Sequence, residues 1–249
     1  MKVFLQKDKG EFANINFQTA FLGFRDRGYE IIFFKFSELD SLALDENSIV
    51  VGGIPVVSEA MRCLGITLNA LHPIPKELLP YAKRRVWEST LGEVRNRFMN
   101  GQKLFIKPIP VDRKLFTGHL ITSFRDLIQT SSLPSDYPVL CSDPVDFRAE
   151  YRVFVLDQEI VGIRYYCGDF RLFPDFQVIE PAVAAFHSAP AAYSIDFGIR
   201  SEGDTVLVEI NDSYALGCYG LSPSIYSALI ERRWKELREN ISPKSQVSE

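Results

Sequence analysis

The first seventy residues alternate between short strand patterns and amphipathic helix patterns. Apolar segments predict strands over Lys2–Gln6, Glu30–Phe36 and Ser48–Val51. Helical periodicity between them predicts helices over Phe17–Arg27 and Val56–Cys63, and a glycine follows the first of these. Strands that alternate with helices are typical of a small parallel sheet. The start of the chain therefore predicts an α/β unit.

Three prolines between His72 and Pro80 interrupt this pattern. We place a domain boundary there, with an α/β domain over residues 1–75 and a second domain over residues 76–249. Beyond the prolines, apolar spacing predicts a long amphipathic helix over Tyr81–Asn100. Strand patterns follow at Lys103–Lys107, His119–Thr122, Val139–Ser142, Tyr151–Leu156 and Glu159–Cys167, and helix patterns at Phe124–Gln129, Val178–His187 and Ser224–Glu239. Many strands with few helices predict an α+β domain of antiparallel sheets and packed helices.

A predicted hairpin near the end of this domain, Tyr193–Arg200 with Thr205–Asn211, is the strongest candidate for chemistry. Each strand has one apolar face and one face of acids and amides, because successive side chains point to opposite faces. With a connection of two or four residues, Asp196 lies directly opposite Glu209, and Asn211 shares their face. Facing carboxylates repel each other unless a cation lies between them, and oxygen ligands suit Mg²⁺ or Mn²⁺. Replacing Asp196 by asparagine is then expected to leave the ligand-free protein as stable or slightly more stable.

Cationic residues occur in the neighbouring segments. Lys107 ends an apolar strand directly before a proline, where a lysine can hold a phosphate as a point charge. Lys114 lies in the following loop, and Arg152 alternates with apolar residues in a strand, where a guanidinium can bind a carboxylate or phosphate with two hydrogen bonds. Structural alternatives stay open: a solvated hairpin face for the acids, a lysine stem extended over the surface, and a surface ion pair for the arginine.

Composition narrows the function classes. The 249 residues include 28 Lys and Arg against 32 Asp and Glu, a formal net charge of −4. The basic excess of nucleic-acid-binding proteins is missing, so no nucleic-acid partner is expected. The four cysteines contain no Cys-x-x-Cys pair, which disfavours metal fingers and favours a reducing cytoplasm. The apolar N-terminal stretch is too short for a signal peptide, and no apolar run approaches the ~18 residues of a membrane span, so we expect a cytoplasmic protein without a membrane partner.

Five motifs, in their order along the chain, resemble the ATP-grasp superfamily. They are FIKP at 105–108, FTG at 116–118, EYRVFV at 150–155, SIDFG at 194–198 and VEIND at 208–212. The resemblance runs from roughly Tyr81 to Gly220 and rests on this order, since each motif alone is a weak signal. Within the superfamily the chain looks like a clade of bacteria and phages that is named for one arginine and two lysines. Arg84 or Arg85 would be the arginine, and Lys107 and Lys114 the lysines.

The resemblance implies ATP and Mg²⁺ (or Mn²⁺) as cofactors and a role for each matching residue. Arg84 would bind ATP, Lys107 would contact its phosphates, and Lys114, Thr117 and Gly118 would belong to a loop that covers them. Adenine would be bound by the strand edge Val139–Ser142, with Leu140, Cys141 and Ser142. Glu150 would bind the ribose. Asp196, Glu209 and Asn211 match the metal ligands, and Arg152 and Lys114 the catalytic cations. The adenine segment lacks the acidic or glutamine residue that is common there, which leaves nucleotide preference open.

The activity that this resemblance implies is the ligation of a carboxylate to an amine, or to a thiol, through an acyl phosphate. The substrate would be a small molecule or a peptide with a carboxylate, joined to an amine acceptor. Two other activities stay open: a phosphotransferase that acts on a hydroxyl, and a nucleotide-binding interaction module without turnover. The sequence assigns neither the acid, nor the amine, nor the oligomeric state.

Overall fold

The structure is a computed structural model that describes residues 1–8, 10–68, 71–109 and 115–239. These residues form one parallel and two antiparallel sheets, with six α-helices packed on them. This arrangement confirms the predicted fold class of an α/β unit followed by antiparallel sheets with packed helices. Within the described ranges, no helix is long and apolar enough to cross a membrane.

The N-terminal unit is a three-stranded parallel sheet in the order β2-β1-β3. Its strands are β1 (Lys2–Gln6), β2 (Glu30–Phe34) and β3 (Ser48–Val51), and its helices are α1 (Ile15–Asp26) and α2 (Ile54–Cys63). β3 is buried over its whole length, as expected for a parallel strand that is covered on both faces. The predicted bounds of all five elements agree with the structure to within two residues.

The second sheet is antiparallel, in the order β4-β7-β5-β6. It consists of β4 (Val86–Thr90), β5 (Leu104–Pro108), β6 (His119–Ile121) and β7 (Pro138–Ser142), and α4 (Leu91–Met99) packs on one face. β5 alternates between buried and half-buried residues, because one face contacts α4 and the other faces the rest of the molecule. A 3₁₀ helix, Phe124–Thr130, lies between β6 and β7.

The predicted long helix over Tyr81–Asn100 is wrong. A short helix α3, Leu79–Ala82, ends at Lys83, whose left-handed φ of +46° stops the helix. β4 follows and pairs with β7, and only then does α4 begin. The hydroxyl of Thr90 caps α4 by accepting a hydrogen bond from the Glu93 amide at 3.3 Å. This capping signal was present in the sequence, but pairing with a distant strand outweighed the helical spacing before it.

The third sheet, which we call the central sheet, is also antiparallel, in the order β11-β10-β8-β9. Its strands are β8 (Phe147–Leu156), β9 (Glu159–Gly168), β10 (Ala192–Arg200) and β11 (Thr205–Asp212). α5 (Phe176–Ala185) covers one face of this sheet, where its apolar side chains pack on apolar residues of all four strands. The opposite face carries the polar residues of the same strands, so the chemistry predicted for the hairpin lies on that face.

The last helix, α6 (Pro223–Glu239), packs on the N-terminal unit. It crosses α1 closely at Gly23, where a Cβ would lie 1.9 Å from the Pro223 carbonyl oxygen. Trp234 of α6 is fully buried in the same hydrophobic core as β1 and β3. A boundary near residue 75 stays a prediction.

Candidate active site

Four charged side chains form one row across the polar face of the central sheet. The strand register places Glu209 of β11 opposite Asp196 of β10, and Asp196 opposite Arg152 of β8. Arg152 is in turn opposite Arg164 of β9. The predicted facing of Asp196 and Glu209 is therefore confirmed.

The hairpin reaches this pairing by a different route from the predicted one. Its connection has three residues, 201–203, closed by a hydrogen bond of 3.0 Å from the Arg200 amide to the Asp204 carbonyl oxygen. Gly203 takes a left-handed φ of +91° in this turn, a conformation that favours glycine. Four residues separate the ends of β10 and β11, but the contact of Arg200 with Asp204 leaves three in the turn, so the predicted register is wrong by one residue next to the turn. A bulge at Val208 of β11 shifts the register by one residue and compensates for the difference.

Asp196 and Arg152 form a buried ion pair. Nε and Nη2 of Arg152 donate to the two oxygens of Asp196 at 2.9 and 2.7 Å, and the carboxylate side chain is only 1% exposed. Burial raises the pKa of the Asp196 carboxyl to about 6, against the opposing charge of Arg152. Burial alone would lower the pKa of Arg152, but the charge of Asp196 and its hydrogen bonds raise it above the ordinary value. The two hydrogen bonds have the geometry of a carboxylate paired with a guanidinium.

Glu209 is held by a cation from the other antiparallel sheet. Lys107, on the half-buried face of β5, donates to a Glu209 oxygen across the space between the sheets. Burial acts to raise the pKa of Glu209, but the charge and hydrogen bond of Lys107 lower it below its ordinary value. Nδ2 of Asn211 lies 3.2 Å from Glu209 and 3.4 Å from Asp196, so the amide bridges the two acids.

A cavity of about 350 Å³ lies between the two antiparallel sheets. Seven of the residues predicted to bind the nucleotide or metal line it: Arg84, Lys107, Leu140, Cys141, Ser142, Glu150 and Glu209. Its remaining wall is mostly apolar, with Ile74, Val86, Phe105, Leu120, Val145, Phe147 and Val208, joined by Asp143. A largely apolar cavity with a few convergent polar groups is the usual form of a small-molecule site.

The segment Val139–Ser142 is an interior strand, which corrects its prediction as a strand edge. β7 pairs with β4 on one side and with β5 on the other, so its backbone groups are used in the sheet. The Cys141 side chain points into the core under α4, and burial raises its pKa to about 12. The residues that follow the strand, among them Asp143 and Val145, also line the cavity.

Glu150 lies on β8 at the cavity, two positions from Arg152 on the same face. The hydroxyl of Tyr166 donates to its carboxylate at 2.9 Å, and burial raises the pKa of Glu150. The neighbouring residue of β10 is Gly198, where a Cβ would lie 2.2 Å from the ring of Phe147. The glycine therefore makes room for the ring, which forms part of the cavity wall.

The two arginines that the sequence left open differ in position. Arg84 lines the cavity and donates to backbone carbonyl oxygens of β11, whereas Arg85 is exposed and forms an ion pair with Asp143 at 2.8 Å. The Arg85 guanidinium also lies over the ring of Trp87, away from the cavity. Arg84 is therefore the candidate for nucleotide contact.

The covering loop is described only in part. Lys114 lies outside the described residues, and Thr117 is exposed at the start of the described segment. Gly118 packs on β5, where a Cβ would lie 3.3 Å from the Cβ of Lys107 and 2.8 Å from the ring of Phe105. The glycine thus lets this segment pass close to the lysine.

Sequence reasoning missed Arg164 and Tyr166 of β9, which lie next to Arg152. Arg164 donates to the carbonyl oxygen of Gly220 at 3.1 Å, and no carboxylate in the described ranges pairs with it. The centre of the Tyr219 ring lies 4.8 Å from the Arg152 guanidinium and 5.1 Å from the centre of the Tyr166 ring, and the two rings are tilted by 32°. The alternation of Arg164 and Tyr166 in β9 was the available signal, because it places both on the polar face.

A family model matches residues 81–229, more than half of the chain, and its description is an ATP-grasp domain, R2K clade family 2. The chain belongs to this ATP-grasp family. The matched region contains both antiparallel sheets and every motif that suggested the resemblance. A comparison with curated proteins gave no match.

Solved structures with the ATP-grasp fold resemble the chain over nearly its whole length. The ligase PsnB, complexed with a minimal precursor, is 14% identical with a TM-score of 0.52, over 93% of this chain and 99% of its own. D-alanine–D-alanine ligase from Bacillus anthracis, complexed with ATP, is 14% identical with a TM-score of 0.55, over 97% and 98%. N5-carboxyaminoimidazole synthetase from Staphylococcus aureus is 10% identical with a TM-score of 0.57, over 94% and 77%. At these identities the likeness concerns the fold.

Proposed function

We propose that this protein is an ATP- and Mg²⁺-dependent ligase that joins a carboxylate to an amine through an acyl phosphate. The observation that carries the proposal is the joint position of Lys107 and Glu209 at the cavity between the two sheets, next to the Asp196–Arg152 pair. ATP-grasp membership and the likeness to ligases support it, among them one complexed with ATP and one with a minimal precursor.

The cavity has the features that a bound nucleotide needs. Side chains such as Phe105, Leu140 and Val145 offer an apolar surface to a purine ring, and Glu150 offers a carboxylate to a ribose hydroxyl. Lys107 supplies the cation for the phosphates at the end next to Glu209. Thr117, Gly118 and Lys114 are assigned to the loop that covers the phosphates.

The polar face also fits a divalent cation. Asp196, Glu209 and Asn211 offer the hard oxygen ligands that Mg²⁺ prefers. Ser194, beside Asn211 on the same face, has a buried hydroxyl with no partner among the described residues, so one polar group is left for a ligand or its water. When bound, Mg²⁺ would neutralise charge on the phosphates. Asn211 would turn its amide oxygen towards the ion, and Glu209 would exchange Lys107 for it.

The proposed reaction has two steps. A carboxylate oxygen of the substrate attacks the γ-phosphorus, the bond to the bridging oxygen breaks, and ADP leaves. The amine then attacks the acyl carbon, phosphate leaves, and the amine loses a proton. Arg152 and Arg164 would hold the negative oxygens of the carboxylate and its phosphate, because they lie side by side at the row of charges. Positioning and charge neutralisation are the protein's main contributions to such a transfer.

The test is a screen of amino acids and peptides for stimulation of Mg²⁺-dependent phosphate release from ATP. Phosphate release that requires both a carboxylate and an amine, and that yields the coupled product by mass spectrometry, supports the ligase. Transfer of phosphate to a hydroxyl without an amine indicates a phosphotransferase. No ATP binding at millimolar concentration, with or without Mg²⁺, refutes the proposal. Glu209→Gln should abolish the signal, and Glu202→Gln, at the exposed hairpin turn, should leave it unchanged.

A further inference from the structure

One β-bulge decides which face of the central sheet carries Glu209. Phe197 of β10 pairs with Leu207. Asp196, the residue before Phe197, pairs with Glu209, so Val208 has no partner on β10. A regular ladder continued from Leu207 would place Val208 opposite Asp196 and turn Glu209 to the apolar face under α5, because a shift of one residue exchanges the faces. The row of charges therefore depends on the bulge.

The bulge lies on an edge strand, and the segment before β4 covers the outer side of that strand. The Ile210 amide donates to the Pro73 carbonyl oxygen at 2.9 Å. Arg84 contacts the bulge itself: Nη1 donates to the Leu207 carbonyl oxygen at 2.6 Å, and Nη2 donates to the Val208 carbonyl oxygen at 3.1 Å. One guanidinium thus binds the two successive carbonyl oxygens where the register shifts.

Arg84 has no carboxylate partner at ion-pairing distance within the described part of the chain. Burial lowers its pKa to about 10, and the nearby charge of Arg200 adds to this effect, so the group still carries its charge at neutral pH. Nη1 also donates to the Ala82 carbonyl oxygen at 3.1 Å, at the end of α3. A half-buried cation that binds only carbonyl oxygens is suited to holding backbone in place, because its planar fork orients several acceptors at once.

We infer that Arg84 is a positioning residue, which holds the bulge at Val208 and thereby keeps Glu209 opposite Asp196. This role rests on the proposed function, since the position of Glu209 matters for a bound cation. It differs from a direct contact between Arg84 and the nucleotide phosphates, which the cavity position of Arg84 also allows. The two roles require different properties of the side chain: a fork for the carbonyl oxygens, and a positive charge for the phosphates.

The test compares Arg84→Lys, which keeps the charge but loses the fork, with Arg84→Gln and with the control Arg95→Ala. Arg95 also donates to a backbone carbonyl oxygen, that of Thr130 at 2.9 Å, but lies on α4 outside the cavity. Three quantities are measured: the Kd of a non-hydrolysable ATP analogue in EDTA, the Kd of Mn²⁺ in the presence of that analogue by electron paramagnetic resonance, and hydrogen exchange of peptide 205–212 without ligand. Thermal melting identifies variants that do not fold.

If Arg84 holds the bulge, Arg84→Lys and Arg84→Gln weaken Mn²⁺ binding by ~10-fold or more, as substitutions behind a metal ligand do, while the metal-free nucleotide Kd changes by less than ~3-fold. Both variants also speed exchange in 205–212, and Arg95→Ala does not. Full retention of Mn²⁺ binding by Arg84→Lys, or an equal loss of metal-free nucleotide binding, overturns the inference in favour of phosphate contact.

If the unaltered protein binds neither nucleotide nor Mn²⁺, the proposed function fails. The exchange measurement still decides whether Arg84 holds the bulge, because unchanged exchange of peptide 205–212 in both variants overturns the inference. This measurement also applies to a variant that is too unstable for binding work, as long as it melts above the exchange temperature.

Discussion

Asp196 and Glu209 face each other across adjacent strands, and each carboxylate is bound by a cation from a different strand. Arg152 binds Asp196 within the central sheet, whereas Lys107 reaches Glu209 from the second sheet. The pair is therefore neutralised by the protein itself, and the Lys107–Glu209 contact joins the two sheets across the cavity. A cation that binds here has to compete with Lys107 for Glu209.

Lys107→Ala should weaken Mg²⁺–ATP binding by ~10-fold or more and reduce any turnover by ~100-fold, because it removes the cation at the phosphate end of the cavity. The protein should stay folded, since Lys107 belongs to no hydrophobic core cluster of the described residues and its partner Glu209 stays 29% exposed. Calorimetry with Mg²⁺ and ATP and a thermal melt measure both effects. Lys103→Ala, an exposed lysine directly before the same strand, is the matched control. A large loss of melting temperature with unchanged ATP affinity would assign Lys107 to packing alone.

Asp196→Asn should destabilise the ligand-free protein by about 3 kcal/mol, because it leaves the buried charge of Arg152 without its partner. This reverses the expectation from the sequence, in which the substitution relieved repulsion between two acids. Repulsion does not dominate because each acid has its own cation.

Urea denaturation of wild type and Asp196→Asn without nucleotide measures this difference. Asp169→Asn is a suitable control, because Asp169 forms its ion pair with Arg171 at the surface, where such pairs contribute little. Equal or greater stability of Asp196→Asn would show that the Arg152–Asp196 pair adds nothing to the fold.

Gly198→Ala should block the cavity. The added Cβ would meet the ring of Phe147 at 2.2 Å, so the ring has to move, and its free direction is the cavity that it lines. Nucleotide affinity should fall by ~10-fold or more, and the free energy of unfolding should fall by about 1–3 kcal/mol from overpacking. The double variant Gly198→Ala/Phe147→Leu should recover affinity, which calorimetry measures. Failure of the smaller side chain to restore binding would mean that Phe147 does not block the cavity.

Periodicity predicted the elements that local sequence specifies. The strands and helices of the N-terminal unit followed from local periodicity. The facing of Asp196 and Glu209 was predicted correctly, but from a regular register, whereas the structure reaches it through a bulge. The predicted helix over Tyr81–Asn100 failed because β4 exists only through its pairing with β7, a segment about fifty residues away. Local patterns contain no information about such a partner.

The candidate site divides in the same way. Motif order brought Lys107, Glu150 and Glu209 into one prediction, and the cavity brings the same residues together. The bulge at Val208 was not predictable, because it depends on a three-residue turn and on the contact of Arg84 with the carbonyl oxygens of β11. The neutralisation of the acids by Lys107 and Arg152 was missed for a related reason: it requires knowing which strands are neighbours.

The contact between α1 and α6 should make stability depend on pH through Glu231. This glutamate of α6 is 7% exposed and binds Arg27, and Lys235 lies 2.5 Å away. Burial alone would raise its pKa, but hydrogen bonds from Lys235, Tyr29 and Arg27 lower it to about 2. Because the pKa is lower in the folded protein than in the unfolded chain, the ionised group stabilises the fold above about pH 4.5, and this contribution is lost as the pH falls towards 2.

Glu231→Gln should therefore lower the free energy of unfolding at pH 7 by about 1–3 kcal/mol, since it leaves Arg27 and Lys235 without their shared acid. The difference from wild type should shrink between pH 4.5 and pH 3, because the unfolded chain takes up a proton at Glu231 there while the folded protein still holds the group ionised. Urea denaturation at pH 7, 5, 4 and 3 measures it, with Glu180→Gln, an exposed glutamate of α5, as the control. A difference that stays constant over this range would show that the charge of Glu231 does not stabilise the contact, and that its packing alone does.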